Sequence, residues 1–152
     1  MAQYDEHSVE ISATAERCYD LVSDITQMGR LSPECTGGRW LSRGRVPAVG
    51  ARFVGFNRRK LAWWCTLNRV EVAEPGREFA FVTTTTRIRW RYTFAPSDGG
   101  TTVTESREEV GPRPLSGRLF ARFLLGGLAE HDDEMRAGLA ASLDRLRQLA
   151  ES

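Results

Sequence analysis

The chain has 152 residues, of which 41% are hydrophobic and 27% charged, enough for one domain built on one core. Its 21 Lys and Arg residues against 20 Asp and Glu give a net charge of +1, and a charge so close to balance indicates neither nucleic acid nor an anionic membrane as partner. Three widely spaced cysteines fit neither a disulfide framework nor a zinc site. The sequence has no apolar run of about 18 residues and no apolar leader, so we expect a cytoplasmic protein without stable membrane insertion.

The first predicted elements are a strand and two short helices. Val9 and Ile11 alternate with polar residues, which places them on one face of a short strand. Thr14 is suited to cap a helix that runs to about Asp24. A second short turn should end near Ser32, because the residue before a proline is pushed out of the helical region.

Residues from about Arg39 to Glu109 are predicted to form five β segments of an antiparallel meander. Turn-forming stretches at 44–50, 58–61, 75–76 and 96–100 separate them. Counted as five or six strands and added to the first strand, this region gives a sheet of six to seven strands. The cationic run 58–60 is predicted to be a solvated hairpin tip, with an acidic head group at a pocket rim as the alternative.

Alternation within two of these segments indicates which side chains face inward. In the first of them Leu67 does not fit the pattern, and the inward residues are Trp64, Thr66, Asn68, Val70 and Val72. In the second, the inward residues are Ile88, Trp90, Tyr92 and Phe94, and the outward ones are Arg89, Arg91 and Thr93. The sheet should therefore have one wet and one dry face.

The C-terminal region is predicted to be helical. Leucine and phenylalanine residues between 115 and 124 form a short amphipathic stretch before Gly126 and Gly127, where we expect a break. That stretch is interpreted as a lid, a membrane contact or packed surface. One long amphipathic helix follows, with an apolar stripe at Leu128, Met135, Leu139, Leu143, Leu146 and Leu149.

The inward residues mix large aromatic rings with hydroxyl and amide groups, which is more typical of a ligand cavity than of a solid core. The alternative is that the aromatic rings fill the core and the polar groups bond to the backbone. The candidate ligand-binding residues are Trp40, Phe53, Asn57, Trp64, Thr66, Asn68, Phe81, Thr83, Trp90, Tyr92 and Met135.

The order of these segments resembles the SRPBCC superfamily of START-like, helix-grip domains, in its bacterial polyketide cyclase/dehydrase-like branch. The resemblance rests on the stretches 9–13, 19–24, 31–34, 49–58, 70–81, 90–94, 100–106 and 131–146. It implies a single α+β domain over 1–152, in which a curved antiparallel sheet wraps a long C-terminal helix and binds a small hydrophobic ligand such as a lipid, polyketide or aromatic metabolite. It leaves activity open, because this fold hosts lipid carriers, hormone receptors and aromatase/cyclases.

Three residues are candidates for catalysis under an alternative hypothesis, a polyketide aromatase/cyclase or dehydratase. His131 lies on the apolar stripe of the long helix, and Glu105 shares the inward parity of Val103. A histidine beside a carboxylate would serve as general acid and base, with Tyr92 or Asn57 holding a carbonyl. Structural roles are the competing interpretation: His131 caps the helix start, and Glu105 pairs with Arg107 or with a neighbouring strand.

Other functions receive less support from the sequence. The residues 131–134 cannot converge on one metal ion, because adjacent helical residues point about 100° apart, so we expect neither a metal nor a cofactor. A regulatory module with a collapsed pocket is a third hypothesis, with a stable protein complex as its signature. We expect a monomer or a homodimer.

Overall fold

The computed structural model describes residues 4–32, 34–112 and 128–152, and for 128–136 it describes the backbone only. In chain order the elements are β1 (Tyr4–Ile11), α1 (Ala15–Ser23), a 3-10 helix (Ile25–Arg30), β2 (Cys35–Trp40), β3 (Arg52–Arg59), β4 (Ala62–Glu74), β5 (Glu78–Thr83), β6 (Ile88–Ser97), β7 (Gly100–Glu109) and α2 (Leu128–Glu151). The strands form one antiparallel sheet in the order β1-β7-β6-β5-β4-β3-β2. The predicted helix-grip α+β fold is confirmed.

Two polar side chains define the helices after β1. Thr14 caps α1, since its hydroxyl oxygen accepts a hydrogen bond from the backbone N–H of Arg17 at 3.1 Å. Asp24 ends α1 and caps the 3-10 helix by accepting from the backbone N–H of Thr26 at 3.2 Å. Both short helices predicted from the sequence are therefore present.

The region predicted as one β segment between residues 77 and 95 is two strands, β5 and β6. The turn between them, residues 84–87, contains neither glycine nor proline, and Arg87 adopts a positive φ of 60°. A turn without these residues gives little sequence signal. The sheet consequently has seven strands, the upper end of the predicted range.

A register shift in β4 changes the inward face that the sequence predicts. The pairing with β5 slips between Val70 and Val72, so Ala73 rather than Val72 packs against the core. The prediction for Val72 is wrong because an extra residue in a strand reverses the parity beyond it. Before the shift the parity holds: Val70 is buried, and Leu67 is 51% exposed on the outer face.

The core lies between the inner face of the sheet and helices α1 and α2. Leu139, Leu143 and Leu146 of α2 are buried, in agreement with the predicted stripe. The C-terminal end of α2 is held by Arg17, whose side chain donates to the carbonyl oxygens of Ala150 at 2.8 Å and Leu149 at 3.1 Å. This anchor fixes α2 across the sheet. The stretch 115–125, interpreted above as a lid, a membrane contact or packed surface, lies outside the described residues.

Candidate ligand cavity

A cavity of about 150 Å³ lies between the inner face of the sheet and α2. One wall is aromatic: Phe53 and Phe81 have ring centroids 5.1 Å apart, and Trp64, Trp90 and Tyr92 continue the surface. The opposite wall is formed by α2 through Gly138, Leu139 and Ser142. The volume is comparable to that of apolar cavities that bind small aromatic molecules. Within the part of the chain that the structure describes, the aromatic side chains therefore surround usable space.

A carboxyl group and a phenol form a buried pair in this cavity. Glu105 of β7 lies directly opposite Tyr92 of β6 in the strand register and is 2% exposed. The Tyr92 hydroxyl donates to Glu105 Oε1 at 2.7 Å, whereas Oε2 has no hydrogen-bond partner among the described residues. Such an oxygen in an apolar cavity is a potential contact for a polar ligand atom.

Burial dominates the electrostatics of this pair. It raises the pKa of Glu105 from 4.5 to about 8, and the hydrogen bond from Tyr92 opposes only part of that rise. Burial, followed by the proximity of Glu105, raises the pKa of Tyr92 well above its ordinary value. Both groups are therefore predominantly neutral near neutral pH, which removes the cost of an unpaired buried charge.

A buried charged residue, Arg107, lies two residues beyond Glu105 in β7, opposite Trp90 of β6. Arg107 is 1% exposed, forms an ion pair with Asp5 of β1 at 3.3 Å, and has its guanidinium 6.0 Å from the ring centroid of Trp90. For Glu105, the sequence analysis considered a structural role in which it pairs with Arg107 or with a neighbouring strand. The hydrogen bond from Tyr92 of β6 is a pairing of the second kind. Asp5 was not predicted to be a partner of Arg107. Its charge is opposite to that of Arg107, and it has the same inward parity as Val9, so the sequence did contain a signal for this pair.

The part of the cavity wall formed by β4 and β5 carries a network of hydrogen-bonded polar side chains. Asn68 Oδ1 accepts from the Thr83 hydroxyl at 2.7 Å, and Asn68 Nδ2 donates to the Thr66 hydroxyl oxygen at 3.1 Å. Gly55 faces this network, and a Cβ there would lie 2.9 Å from Thr66 Oγ1. The amide and hydroxyls thus mainly hold β4 and β5 in place, with the glycine leaving them room.

Most of the predicted ligand-binding side chains do meet at the cavity. Those that line it are Phe53, Asn57, Trp64, Thr66, Asn68, Phe81, Thr83, Trp90 and Tyr92. Trp40 is not among the lining residues: its ring packs edge-on against Phe53, with centroids 5.4 Å apart, behind the cavity wall. The side chains of His131 and Met135 lie outside the described ones, so their assignments stay predictions.

Other lining residues were not among those predicted to bind a ligand, although Ile88 and Leu139 were expected to face inward. They are Met28, Ser32, Glu34, Cys35, Gly55, Thr86, Ile88, Gly138, Leu139 and Ser142. Gly138 and Ser142 are four residues apart on α2, a spacing that puts them on one helix face. Their small size beside Leu139 was the available signal, because small residues on a buried helix face leave space.

The described residues contain no cluster of three or more potential metal ligands. No helix in the described ranges is both long and apolar enough to cross a membrane.

The geometry defines a class of protein: a helix-grip domain with an apolar cavity between its sheet and its long helix. The chain belongs to the family described as polyketide cyclase / dehydrase and lipid transport, whose model matches residues 6–151. This confirms the resemblance noted in the sequence. No significant match exists among proteins of curated function.

Solved structures agree with this membership. The polyketide-cyclase-like protein Cgl2372 of Corynebacterium glutamicum is 32% identical, covers 99% of this chain and 90% of its own, and superposes with a TM-score of 0.62. The Zhui aromatase/cyclase of a Streptomyces species is 15% identical over 99% of this chain and 94% of its own, with a TM-score of 0.70. The di-domain ARO/CYC BexL is 21% identical over 99% of this chain and 50% of its own, with a TM-score of 0.72. At these low identities, the similarity to Zhui and BexL concerns the fold alone.

Proposed function

We propose that this protein binds a small, mainly apolar molecule carrying a carbonyl or hydroxyl group, in the cavity between the sheet and α2. The observation that carries the proposal is the aromatic-walled cavity with one unpartnered buried carboxyl oxygen, Glu105 Oε2. The family description, which includes lipid transport as well as polyketide chemistry, is compatible with this function.

The polar contact follows from the protonation state of Glu105. Its Oε1 accepts the hydrogen bond from Tyr92, so in the neutral acid Oε2 carries the proton and donates it to a ligand oxygen. Without a ligand, this donor has no partner among the described residues, so a carbonyl or hydroxyl oxygen that reaches it gains a hydrogen bond without displacing a protein one.

Affinity should be moderate. Removing roughly 200 Å² of apolar ligand surface from water contributes about 5 kcal/mol, and association costs offset much of this. One hydrogen bond to Glu105 adds about 1 kcal/mol. We therefore expect dissociation constants in the micromolar to millimolar range for simple ligands.

Calorimetric titration with 2-naphthol and naphthalene tests this proposal. The two ligands differ by one hydroxyl group, so their difference in affinity reports the polar contact. We expect tighter binding of 2-naphthol to the wild type, retention of that preference in Glu105→Gln, whose amide still offers a donor, and its loss in Glu105→Leu. Absence of binding by both ligands, or an equal preference in Glu105→Leu, would contradict the proposal.

A second candidate function, polyketide cyclisation or dehydration, is favoured by the Glu105–Tyr92 pair. A carboxyl group with a pKa of about 8 exchanges protons near neutral pH, as a general acid or base must. In its ionised form Glu105 would take a proton from a carbon next to a carbonyl, and in its neutral form it would protonate a departing hydroxyl. Because its single O–H already donates to Glu105 Oε1, Tyr92 would orient that carboxyl group.

Glu105→Gln separates the two functions, because glutamine preserves the hydrogen bonds but cannot transfer a proton. If the protein is an enzyme, turnover of an aromatic-forming polyketone is lost in this variant while binding persists. His131, the remaining catalytic candidate, is tested in the same assay with His131→Ala, and equal turnover in that variant would remove it from the mechanism.

A further inference from the structure

Cationic residues are strongly segregated along this chain, although its net charge is only +1. Residues 35–70 contain eight Lys and Arg residues and no Asp or Glu, which leaves 13 cationic against 20 acidic residues in the rest of the chain. This segment folds as β2, β3, the connection between them, and the first nine residues of β4. The edge of the sheet formed by β2, β3 and β4 is therefore basic, although the net charge of the whole chain is close to zero.

The same segment carries most of the exposed apolar surface. Of the eight large hydrophobic side chains exposed in the described part of the chain, six belong to it, namely Leu41, Val49, Phe56, Leu61, Trp63 and Leu67. Only Tyr4 and Val110 lie elsewhere. Monomeric proteins seldom concentrate apolar side chains in this way without a binding role.

Strand register places Phe56, Trp63 and Leu67 on the outer face of β3 and β4, and with Leu61 at the tip of this hairpin they form what is here called the β3–β4 patch. Phe56 lies opposite the exposed Cys65, and Trp63 lies opposite Arg58, whose guanidinium is 4.8 Å from the Trp63 ring centroid. At the hairpin tip Leu61 is 93% exposed and follows Lys60, which has a positive φ of 56°. The apolar side chain of Leu61 at the tip therefore has two cationic residues near it, Arg58 and Lys60.

We propose that the β3–β4 patch docks on an anionic lipid bilayer surface, with Leu61 and Trp63 entering the head-group region and Arg58 and Lys60 at the level of the phosphates. Charge complementarity supports an anionic partner. The exposed leucines and the tryptophan support a bilayer, because apolar side chains gain from leaving water and tryptophan favours the interface. A nucleic acid would leave these aliphatic side chains unused.

The position of the patch connects it to the cavity. Trp63 and Trp64 are consecutive in β4 and point to opposite faces of the sheet, so the first lies in the patch and the second lines the cavity. Asn57, opposite Trp64 in the register, also lines the cavity. A docked hairpin would therefore place the cavity wall next to the membrane surface, where apolar ligands partition.

Vesicle sedimentation tests the proposal, with phosphatidylcholine vesicles compared with mixed phosphatidylcholine and phosphatidylglycerol vesicles at low and high salt. We expect binding to the anionic vesicles only, weakened by salt. Because one cation near the surface contributes about a fivefold change in partitioning, the double variant Arg58→Gln/Lys60→Gln should lose more than tenfold. Leu61→Ser/Trp63→Ser should lose binding at both salt concentrations.

Two matched variants control for charge and apolar exposure. Arg77→Gln removes a cation that is 82% exposed in the β4–β5 turn, and Tyr4→Ser removes an exposed ring at the other edge of the sheet. Both should bind vesicles within about twofold of the wild type. An environment-sensitive fluorophore on the exposed Cys65 should report a less polar surrounding upon docking.

Three results would overturn the proposal: equal binding to both vesicle types, losses in the control variants as large as in the tip variants, or absence of vesicle binding, whether or not an oligonucleotide or an acidic protein binds. The tip variants should keep the thermal unfolding midpoint and 2-naphthol affinity of the wild type. Failure of membrane docking is thereby distinguishable from failure of ligand binding.

Discussion

Replacement of Glu105 by glutamine should make the protein progressively more stable than the wild type as the pH rises. In the folded wild type the pKa of Glu105 is raised from 4.5 to about 8, mainly by burial. Between these values the unfolded chain has released this proton and the folded chain still holds it, so wild-type stability falls with rising pH. Below pH 4.5 and above about pH 8 this contribution no longer changes.

The size of the effect follows from the pKa shift. A shift of this width corresponds to at most on the order of 5 kcal/mol, and relaxation around a buried carboxylate will reduce it. Glutamine keeps the shape of the neutral carboxyl group and accepts the Tyr92 hydrogen bond, but it does not titrate. The free energy of unfolding of Glu105→Gln minus that of the wild type should therefore rise across this interval by a few kcal/mol.

Urea unfolding followed by tryptophan fluorescence at a series of pH values measures this difference. Glu74→Gln, which removes an exposed carboxylate in the β4–β5 turn, is the matched control and should track the wild type within about 0.5 kcal/mol at each pH. A difference between Glu105→Gln and the wild type that does not depend on pH, or that falls as pH rises, would refute the buried neutral carboxyl group.

Three further changes test the site and its scaffold. Tyr92→Phe removes the hydrogen bond that lowers the pKa of Glu105, so carboxyl NMR titration should show a higher pKa than in the wild type; an unchanged or lower value would contradict the pairing. Thr83→Val leaves Asn68 Oδ1 without its donor and should cost about 1–3 kcal/mol in urea unfolding, whereas a loss below about 0.5 kcal/mol would show that the network is dispensable. Thr14→Ala removes the α1 cap and should cost about 1 kcal/mol, and a stability equal to that of the wild type would contradict the capping role.

Local patterns in the sequence were sufficient for most of the fold. The Thr14 cap, the alternation in β6 and the leucine stripe of α2 each depend on neighbouring residues, and each is present. The register shift after Val70 and the turn ending at Arg87 were not predictable in this way. Both depend on how one strand fits its partner, which alternation along a single strand does not record.

The site was predictable in part for the same reason. Inward parity identified Glu105, Tyr92 and most of the aromatic wall. It could not show that Trp40 packs behind Phe53 rather than at the cavity surface, because parity gives a side chain's face and not its depth. The pairing of Arg107 with Asp5 joins β7 to β1, the last and first strands along the chain, and predicting it would have required the strand order.

Gly138 offers the most direct test of whether ligands occupy the space between the sheet and α2. It lines the cavity from within α2, so Gly138→Leu should fill the space, while replacement of a helix-interior glycine raises helix stability by about 1 kcal/mol. Ala141→Leu, on the exposed side of the same helix, is the matched control.

The decisive measurement is calorimetric titration of 2-naphthol into the wild type, Gly138→Leu and Ala141→Leu, with thermal unfolding recorded for each. Gly138→Ala, with a smaller side chain, serves if leucine lowers the unfolding midpoint. We expect binding to be lost in Gly138→Leu at an undiminished unfolding midpoint, weakened in Gly138→Ala, and retained in Ala141→Leu. Wild-type affinity in a folded Gly138→Leu variant would contradict this expectation, because the ligand would then bind elsewhere.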